Sequence, residues 1–199
     1  RMPLRDYQQR TIDYLYRWFE ENRGHPCLVL PTGSGKSHII AELCRDVIQS
    51  WPDQKILILT HVKELIEQDV EKILMAWPTA PIGIFSASIG KKQLGEPITI
   101  AGIQSIRKHA DRVGHVDLVI VDEAHLISHK NEGGYRTFIE ALKVFNSNLR
   151  VIGLTATPYR LGHGLITEGE ALFDDLIEPT SIEELIKKGF LTPLKSKFT

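Results

Sequence analysis

The most constraining feature of this chain is a glycine-rich segment placed between an apolar run and an amphipathic stretch. Residues 27–31 (CLVLP) form the apolar run, and residues 36–48 carry the apolar side chains of Ile39, Ile40, Leu43 and Val47 at helical spacing. Between them, PTGSGKS (residues 31–37) contains two glycines that permit a tight backbone turn. This order predicts a strand, a tight loop and a helix in succession, which is a building block of α/β folds.

The same alternation of short apolar runs and longer periodic segments continues along the chain. Further strands are predicted over residues 55–60, 81–85, 97–101, 117–122 and 150–155, and further helices over residues 7–19, 62–75 and 135–145. Lys91 and Lys92 fall in a predicted loop. Continuous apolar strands separated by helices indicate an α/β fold with a mostly parallel sheet and helices on both faces.

The pattern becomes less regular after Pro158. We expect residues 1–199 to form one domain, with residues 159–199 as a less regular C-terminal extension. Within that extension, residues 162–169 suggest a loop, and residues 181–189 suggest a short helix with a capping box at its start and Gly189 at its end. Because the chain begins with Arg1 rather than methionine, we expect it to be a fragment of a longer protein.

Composition narrows the class of protein. Apolar residues make up 42% and charged residues 25% of the chain, which is typical of globular domains. No apolar run approaches the ~20 residues that a bilayer crossing needs, so we expect no membrane partner. Cys27 and Cys44 lie in apolar patterns that favour buried reduced thiols, and together with the lack of a visible export signal they suggest a cytoplasmic location. The eight histidines show no paired metal-ligand spacing, which argues against a structural zinc site.

Charge gives no global preference for nucleic acid. Lysine and arginine number 24 against 25 acidic residues, for a formal net charge of −1. Any binding to nucleic acid must therefore come from a local surface.

The PTGSGKS segment has the chemistry of a phosphate-binding loop. Its backbone N–H groups can converge on phosphate oxygens, and the following helix adds its positive N-terminal dipole. Lys36 is predicted to reach the β- and γ-phosphates of a nucleoside triphosphate, and the Ser37 hydroxyl to ligate Mg2+. The pattern G-x-x-x-x-G-K-[ST] is met except at its first position, where Leu30 stands. The predicted phosphate-binding residues are Thr32, Gly33, Ser34, Gly35, Lys36 and Ser37.

The VDEAH segment (residues 121–125) places two acids at the end of an apolar strand. Open parallel sheets bind their ligands at the carboxyl ends of strands. Asp122 is predicted to hold Mg2+, and Glu123 to orient and deprotonate an attacking water. Taken alone, the two acids could belong to a solvated turn or a helix cap. With PTGSGKS in the same chain, we interpret Lys36, Asp122 and Glu123 as a catalytic set for triphosphate hydrolysis.

Together with LRDYQ (residues 4–8) and LTATP (residues 154–158), these segments resemble the Q motif and motifs I, II and III of superfamily 2 helicases and translocases. Motif II has the DEAH spelling. The similarity is strongest to the bacterial RadD-like branch and to type I and III restriction motors, through LTHVKELIEQ, AGIQSI, LTATPYRLGHG and GFLTP. DEAH-box RNA helicases typically carry ETGSGKT and SAT instead. The resemblance implies the first RecA-like lobe of a P-loop NTPase, with ATP and Mg2+ as cofactors.

The resemblance also assigns roles to individual residues. Gln8 would read adenine by pairing its amide with N6 and N7, and Arg5 would pack on the base or bond near it. Asp6 departs from the proline that many relatives carry there. The residues that would contact a nucleic acid backbone are Thr60, His61, Gly102, Gln104 and Ser105, with charge nearby from Lys91, Lys92, Arg107 and Lys108. His125, Thr155 and Thr157 would couple the state of the γ-phosphate to that surface.

The function that the resemblance implies is the ATP-binding motor lobe of a helicase or translocase acting on DNA rather than RNA, in repair or recombination. The alternatives are the motor of a type I or III restriction enzyme, a DEAH-type RNA helicase, and a nucleotide-dependent scaffold. Members of this superfamily use a second RecA-like lobe, which supplies arginine fingers and is absent from this chain. We therefore expect residues 1–199 alone to bind ATP or ADP with Mg2+ but to hydrolyse ATP weakly or not at all.

Overall fold

One sheet of eight strands organises the protein, as seen in a computed structural model that describes residues 6–30, 35–157, 159–160, 164–165, 167 and 172–178. The helices are α1 (Asp6–Glu21), α2 (Lys36–Ser50), α3 (Lys63–Ala76), α4 (Ile103–Ile106), α5 (Ala110–Val113) and α6 (His129–Lys143). The strands are β1 (Pro26–Val29), β2 (Ile56–Thr60), β3 (Ile82–Ser86), β4 (Lys91–Lys92), β5 (Ile98–Gly102), β6 (Leu118–Val121), β7 (Arg150–Thr155), β8 (Tyr159–Arg160), β9 (Gly164–Leu165) and β10 (Asp175–Ile177). No helix within these ranges is long and apolar enough to span a bilayer.

The strand order in the sheet is β10-β1-β7-β6-β2-β5-β3-β4. Every neighbouring pair is parallel except β3 and β4, while β8 and β9 form a separate antiparallel pair. Because the central strands all run in one direction, their carboxyl ends lie along the same edge of the sheet, where α/β proteins bind ligands. The ends of β1, β7, β6 and β2 are neighbours along that edge.

Each face of the sheet has its own core. Side chains alternate along each strand, so Ile58 and Ile120 pack against α1, α2 and α3, whereas Leu57 and Val119 pack against α6 on the opposite face. These four side chains are at most 1% exposed. The predicted α/β class, with a mostly parallel sheet and helices on both faces, is confirmed.

Several short elements differ from the sequence-based expectation. Lys91 and Lys92 form strand β4 rather than a loop, because the turn at Gly90, whose φ is +78°, brings them back antiparallel to β3. Both lysines are exposed at the sheet edge, where charged side chains discourage further pairing. Part of the predicted loop 162–169 is strand β9, and the remainder, apart from residue 167, lies outside the described residues, as does the predicted helix at 181–189.

Strand β10 was not predicted, because three residues are too short to show a period. Pairing with β1 creates it, and the Trp18 indole donates a hydrogen bond to Asp175 Oδ2 at 3.0 Å. The four-residue helices α4 and α5 were not predicted either, for the same reason of length.

Candidate nucleotide-binding site

The N-terminus of α2 begins at a glycine with a left-handed backbone. Gly35 has φ +82° and ψ 38°, and its carbonyl accepts a hydrogen bond from Gln8 Nε2 at 3.3 Å. Gln8 is only 1% exposed, on the first turn of α1. A Cβ at position 35 would lie 2.0 Å from Gln8 Nε2, so the absence of a side chain permits this close approach. Gln8, the residue predicted to bind adenine, therefore contacts Gly35 at the end of the predicted phosphate-binding loop.

Lys36 joins the two sequence-predicted chemical segments. Its ammonium lies 2.8 Å from Asp122 Oδ1 and 2.5 Å from Glu123 Oε1. The contact forms because β1 leads toward α2, Asp122 directly follows β6, and only β7 separates these two strands. Burial alone would lower the pKa of Lys36. The charges and hydrogen bonds of the two carboxylates raise this pKa by a larger amount, so the net shift is upward. Lys36 is therefore held as a cation at the sheet edge.

Asp122 is positioned as a ligand for a cation. Its side chain is 1% exposed, and Oδ1 accepts hydrogen bonds from both Lys36 Nζ and the Glu123 backbone N–H, the latter at 2.9 Å. Its second oxygen, Oδ2, is buried and accepts no hydrogen bond from a backbone, hydroxyl, amide or cationic donor among the described residues, and the carboxyl group of Asp69 is its neighbour. Ser37 lies half-buried in the first turn of α2. Mg2+ binds through one or two carboxylates, hydroxyls, waters and substrate phosphates, so these residues fit Mg2+.

No cluster of three or more histidine, cysteine, aspartate or glutamate side chains suited to a metal occurs in the described part of the chain. The described side chains could therefore supply only part of the coordination of a Mg2+ ion.

Glu123 has an unusual backbone conformation. Its φ of 49° makes it the one non-glycine residue with positive φ in the described ranges. Left-handed conformations cost a non-glycine residue about 1–3 kcal/mol and cluster at functional sites. The turn directs the Glu123 carboxylate toward Lys36 on one side and leaves Oε2 3.5 Å from His125 Nδ1 on the other.

His125, Thr155 and Thr157 form a hydrogen-bonded unit beside the acids. The Thr155 hydroxyl donates to the Thr157 carbonyl at 2.6 Å and accepts from the Thr157 backbone N–H at 3.1 Å. Since that hydroxyl has a single proton, it must also accept the hydrogen bond from His125 Nδ1 at 2.8 Å. Thr155 is fully buried, so the end of β7 fixes the orientation of the His125 ring.

Asp69 is a site residue that the motif analysis missed. It lies on α3 with its side chain within hydrogen-bonding distance of Asp122, and it is 6% exposed. Burial raises the pKa of Asp69 to about 9, and proximity to Asp122 adds to the effect. The signal in the sequence was an acid three residues after Ile66, on the apolar face of the predicted helix.

The predicted nucleic-acid residues lie at the ends of two adjacent strands, where Thr60 is in register with Gly102. Thr60 is fully buried, so its hydroxyl is not on the surface where a phosphate contact would require it; the strand alternation turns it toward α2 and α3. Gly102 is also buried, whereas Gln104 is exposed. Ser105 is half-buried, and its hydroxyl accepts a hydrogen bond from the Ala87 N–H at 2.9 Å.

His61 points to the opposite face from Thr60. Its ring packs on that of Tyr135 with the centroids 5.3 Å apart, and the Tyr135 hydroxyl lies 3.3 Å from each ring nitrogen. Burial lowers the pKa of His61, the nearby His125 lowers it further, and Asp122 and Glu123 act in the opposite direction. His61 is therefore within electrostatic range of the acid pair.

Four of the predicted site residues, Arg5, Thr32, Gly33 and Ser34, lie outside the described residues. The basic residues Lys91, Lys92, Arg107 and Lys108 are exposed.

Comparison with known proteins identifies the family. Residues 1–160 match the family described as type III restriction enzyme, res subunit. IRC3 of Saccharomyces cerevisiae, classed as an ATP-dependent helicase, is 27% identical over 205 residues, which cover 98% of this chain and 29% of that protein. The endonuclease subunit of the type I restriction enzyme EcoAI from Escherichia coli is 27% identical over 196 residues, covering 96% of this chain and 23% of that protein.

A solved structure supports the fold. A nuclease-deletion mutant of the type ISP restriction-modification enzyme LlaGI, in complex with a DNA substrate mimic, has a TM-score of 0.67 at 16% identity and covers 95% of this chain and 21% of that one. The chain thus spans less than a third of each of these three proteins. By the family match over residues 1–160, it belongs to the type III restriction enzyme res-subunit family, and its fold is that of a first RecA-like lobe of superfamily 2.

Proposed function

We propose that this lobe binds ATP with Mg2+ and drives a helicase or translocase along DNA, in repair or recombination. One observation carries the nucleotide part of the proposal: Lys36 meets Asp122 at 2.8 Å and Glu123 at 2.5 Å at the carboxyl edge of a parallel sheet. A lysine at a helix N-terminus beside a metal-binding acid and a second carboxylate is the arrangement that phosphoryl transfer requires.

Each side chain has a defined task in this proposal. Gly35 and the start of α2 direct N–H groups toward the phosphates, and Gln8 contacts the adenine. Ser37 and Asp122 hold Mg2+, which when bound neutralises charge on the phosphates. Triphosphate oxygens compete for Lys36, and this releases Glu123 to accept a proton from the attacking water. His125 and Thr155 link the site to the end of β7.

Two observations support DNA as the partner of this lobe. LlaGI, whose fold this lobe shares, was solved with a DNA substrate mimic. In this chain the ends of β2 and β5 present the half-buried His61 and the exposed Gln104 at the same edge of the sheet as the nucleotide site. Such residues contact phosphates without reading sequence. Hydrolysis at a useful rate would need a second RecA-like lobe whose arginine side chains stabilise the negative charge on the transferring phosphate.

A restriction motor is the second candidate function. The family match to the res subunit of type III restriction enzymes and the 27% identity to an EcoAI subunit favour it. Both candidates use the same ATP chemistry. A nuclease or methyltransferase domain in the complete protein would favour the restriction motor.

A cytoplasmic location is part of the proposal and is supported by Cys27 and Cys44, which are buried free thiols.

The nucleotide site is tested by calorimetry with ADP and Mg2+. Lys36→Ala should abolish measurable binding, because the phosphates lose their cation, whereas Lys72→Ala, at an exposed position on α3, should bind as the parent does. Equal affinity in Lys36→Ala and the parent would refute the site.

The motor function is tested on the complete protein. Its ATPase rate is measured with single-stranded DNA, duplex DNA and RNA as stimulants. Glu123→Gln should keep nucleotide binding and lose about 10²- to 10⁴-fold in turnover, the usual contribution of a general base. Stimulation by RNA but not by either DNA would overturn the choice of DNA.

A further inference from the structure

One stretch of the chain carries a local excess of positive charge. Residues 82–113, from β3 to α5, contain five basic and two acidic residues, so their formal charge is +3, whereas that of the whole chain is −1. The basic residues are all exposed, and none of them is in an ion pair within the part of the chain that the structure describes. They are Lys91, Lys92, Arg107, Lys108 and Arg112. Unpaired cations clustered on a surface attract an anionic partner.

Strand pairing assigns Lys91 and Lys92 to opposite faces of the sheet. Lys92 pairs with Phe85 across the β3–β4 ladder, and Lys91 pairs with Ser86. Side chains directly opposite each other in an antiparallel pair share a face, and neighbours along a strand alternate between faces. Phe85 packs into the core on the α6 side. Lys92 therefore lies on that face, and Lys91 lies on the other one.

Two arginines lie on the same face as Lys92. The Arg112 guanidinium lies over the Phe85 ring, 5.8 Å from its centroid. Arg107 lies against α6, where a Cβ on Gly134 would be 3.3 Å from Arg107 Nη1. An arginine packed in this way loses little freedom when it binds a phosphate, because its planar group is already held in place. We refer to Lys92, Arg107 and Arg112 as the basic face.

The basic face adjoins the predicted nucleic-acid residues at the carboxyl edge of the sheet. The order β2-β5-β3-β4 places the end of β2, which leads into His61, three strand positions from β4. Neighbouring strands lie about 4.8 Å apart, so this stretch of the edge is roughly 14 Å long. The Ser105 hydroxyl accepts a hydrogen bond from the Ala87 N–H at 2.9 Å, which fixes the β3–β4 turn to α4. A DNA strand rises about 3.4 Å per phosphate, so the stretch matches about four phosphates.

The surface chemistry favours a phosphate backbone over a protein as the partner. The centre of a protein–protein interface is apolar and rich in aromatic side chains. Residues 82–113, all of which the structure describes, contribute no exposed large apolar side chain. Lysine and arginine bind backbone phosphates without reading the sequence, and such contacts supply most of the non-specific affinity for DNA.

We propose that the basic face is a DNA-binding surface, which holds the phosphate backbone beyond the residues at the ends of β2 and β5. The inference rests on the proposed function as a DNA motor. It adds Arg112, which none of the four motifs contains, and it leaves out Lys91, whose side chain lies on the other face of the sheet.

The test measures binding of the complete protein to a fluorescein-labelled DNA duplex by anisotropy over a range of salt concentrations. Each phosphate contact contributes about −0.9 to the slope of log K against log salt concentration. Lys92→Gln and Arg112→Gln should each make the slope less steep by about one. Each should lower the affinity about eightfold at about 0.1 M salt, and the difference from the parent should disappear near about 1 M.

Lys91 provides the matched control. Lys91→Gln removes the same charge from the neighbouring position, on the opposite face, and should change the affinity by at most about twofold through long-range attraction. Lys55 is exposed just before β2, at the opposite edge of the sheet, and Lys55→Gln should bind DNA as the parent does. The ATPase rate without DNA should be that of the parent in all variants, since none of these side chains lies at the nucleotide site.

The outcomes separate the basic face from the motor function. Parent-like affinity and slope in folded Lys92→Gln or folded Arg112→Gln would overturn the role of that residue, while stimulation of the ATPase by DNA would leave the motor function intact. An equal loss in Lys91→Gln and Lys92→Gln would show a general charge effect, and would overturn the basic face. If thermal melts show that Arg112→Gln unfolds, Arg107→Gln takes its place. Absence of DNA binding by the parent would overturn the proposed function, and this inference with it.

Discussion

Replacing Gly35 with alanine tests whether the packing of α1 against the phosphate loop is as tight as the structure indicates. The substitution acts in two ways. It forces a residue with a side chain to adopt φ +82°, and it places a Cβ 2.0 Å from Gln8 Nε2. Gln8 must therefore move, and its hydrogen bond to the Gly35 carbonyl is lost.

The two effects can be assigned magnitudes. A left-handed backbone costs an L-residue about 1–2 kcal/mol. Loss of a neutral hydrogen bond adds about 0.5–1.5 kcal/mol. Gly35→Ala should therefore lower the free energy of unfolding by roughly 1.5–3.5 kcal/mol.

Gly90 provides the matched control. Its φ is +78°, but nothing lies within 4 Å of a Cβ at that position. Gly90→Ala should cost only the backbone component, about 1–2 kcal/mol. Urea unfolding of both variants isolates the contact with Gln8 as the difference. In the Gly35→Ala background, Gln8→Ala should relieve the clash and remove part of that difference.

Nucleotide selectivity gives a second readout. If Gln8 reads adenine, its displacement in Gly35→Ala should reduce the preference for ADP over GDP by about tenfold, the lower range of a bidentate base contact. Gly90→Ala should keep the parent's preference. Equal loss of stability in Gly35→Ala and Gly90→Ala, with selectivity unchanged in both, would refute the reasoning.

Two further variants test the stability of the fold, one just before the start of β1 and one at the end of β7. Burial lowers the pKa of His25 from 6.5, against the opposing effect of its bond to the Leu172 carbonyl, so the unfolded chain binds more protons in mildly acidic solution. The free energy of unfolding should thus fall as the pH drops from about 7 through 6.5, and His25→Asn should reduce that fall in thermal melts at pH 7 and 5; an unchanged pH profile would contradict this. Thr155→Val should cost about 1–3 kcal/mol in urea unfolding, because it removes the buried hydrogen bonds between the Thr155 hydroxyl and His125 and Thr157, while Thr155→Ser should retain most of the stability. A Thr155→Val protein as stable as the parent would show that this unit contributes nothing to the fold.

Local sequence patterns were sufficient to predict the longer strands and helices and to locate the motifs. The apolar runs predicted the six longer strands because five of them are buried on both faces and β3 is half-buried on one, and helical spacing predicted α1, α2, α3 and α6. The phosphate loop and the acid pair were visible because their chemistry is concentrated in a few consecutive residues. Short elements such as β4 and β10 were not, since pairing with a neighbouring strand rather than their own pattern creates them.

The sequence by itself determined which residues could bind a triphosphate, since residue type and local order decide that chemistry. Tertiary structure alone decided which of them meet. Lys36 and Asp122 are 86 positions apart and touch because β1 and β6 flank β7, and an apolar run does not specify its neighbour in a sheet. The same holds for Asp69, which joins the site because α3 packs on that face, and for Thr60, whose strand parity turns its hydroxyl inward.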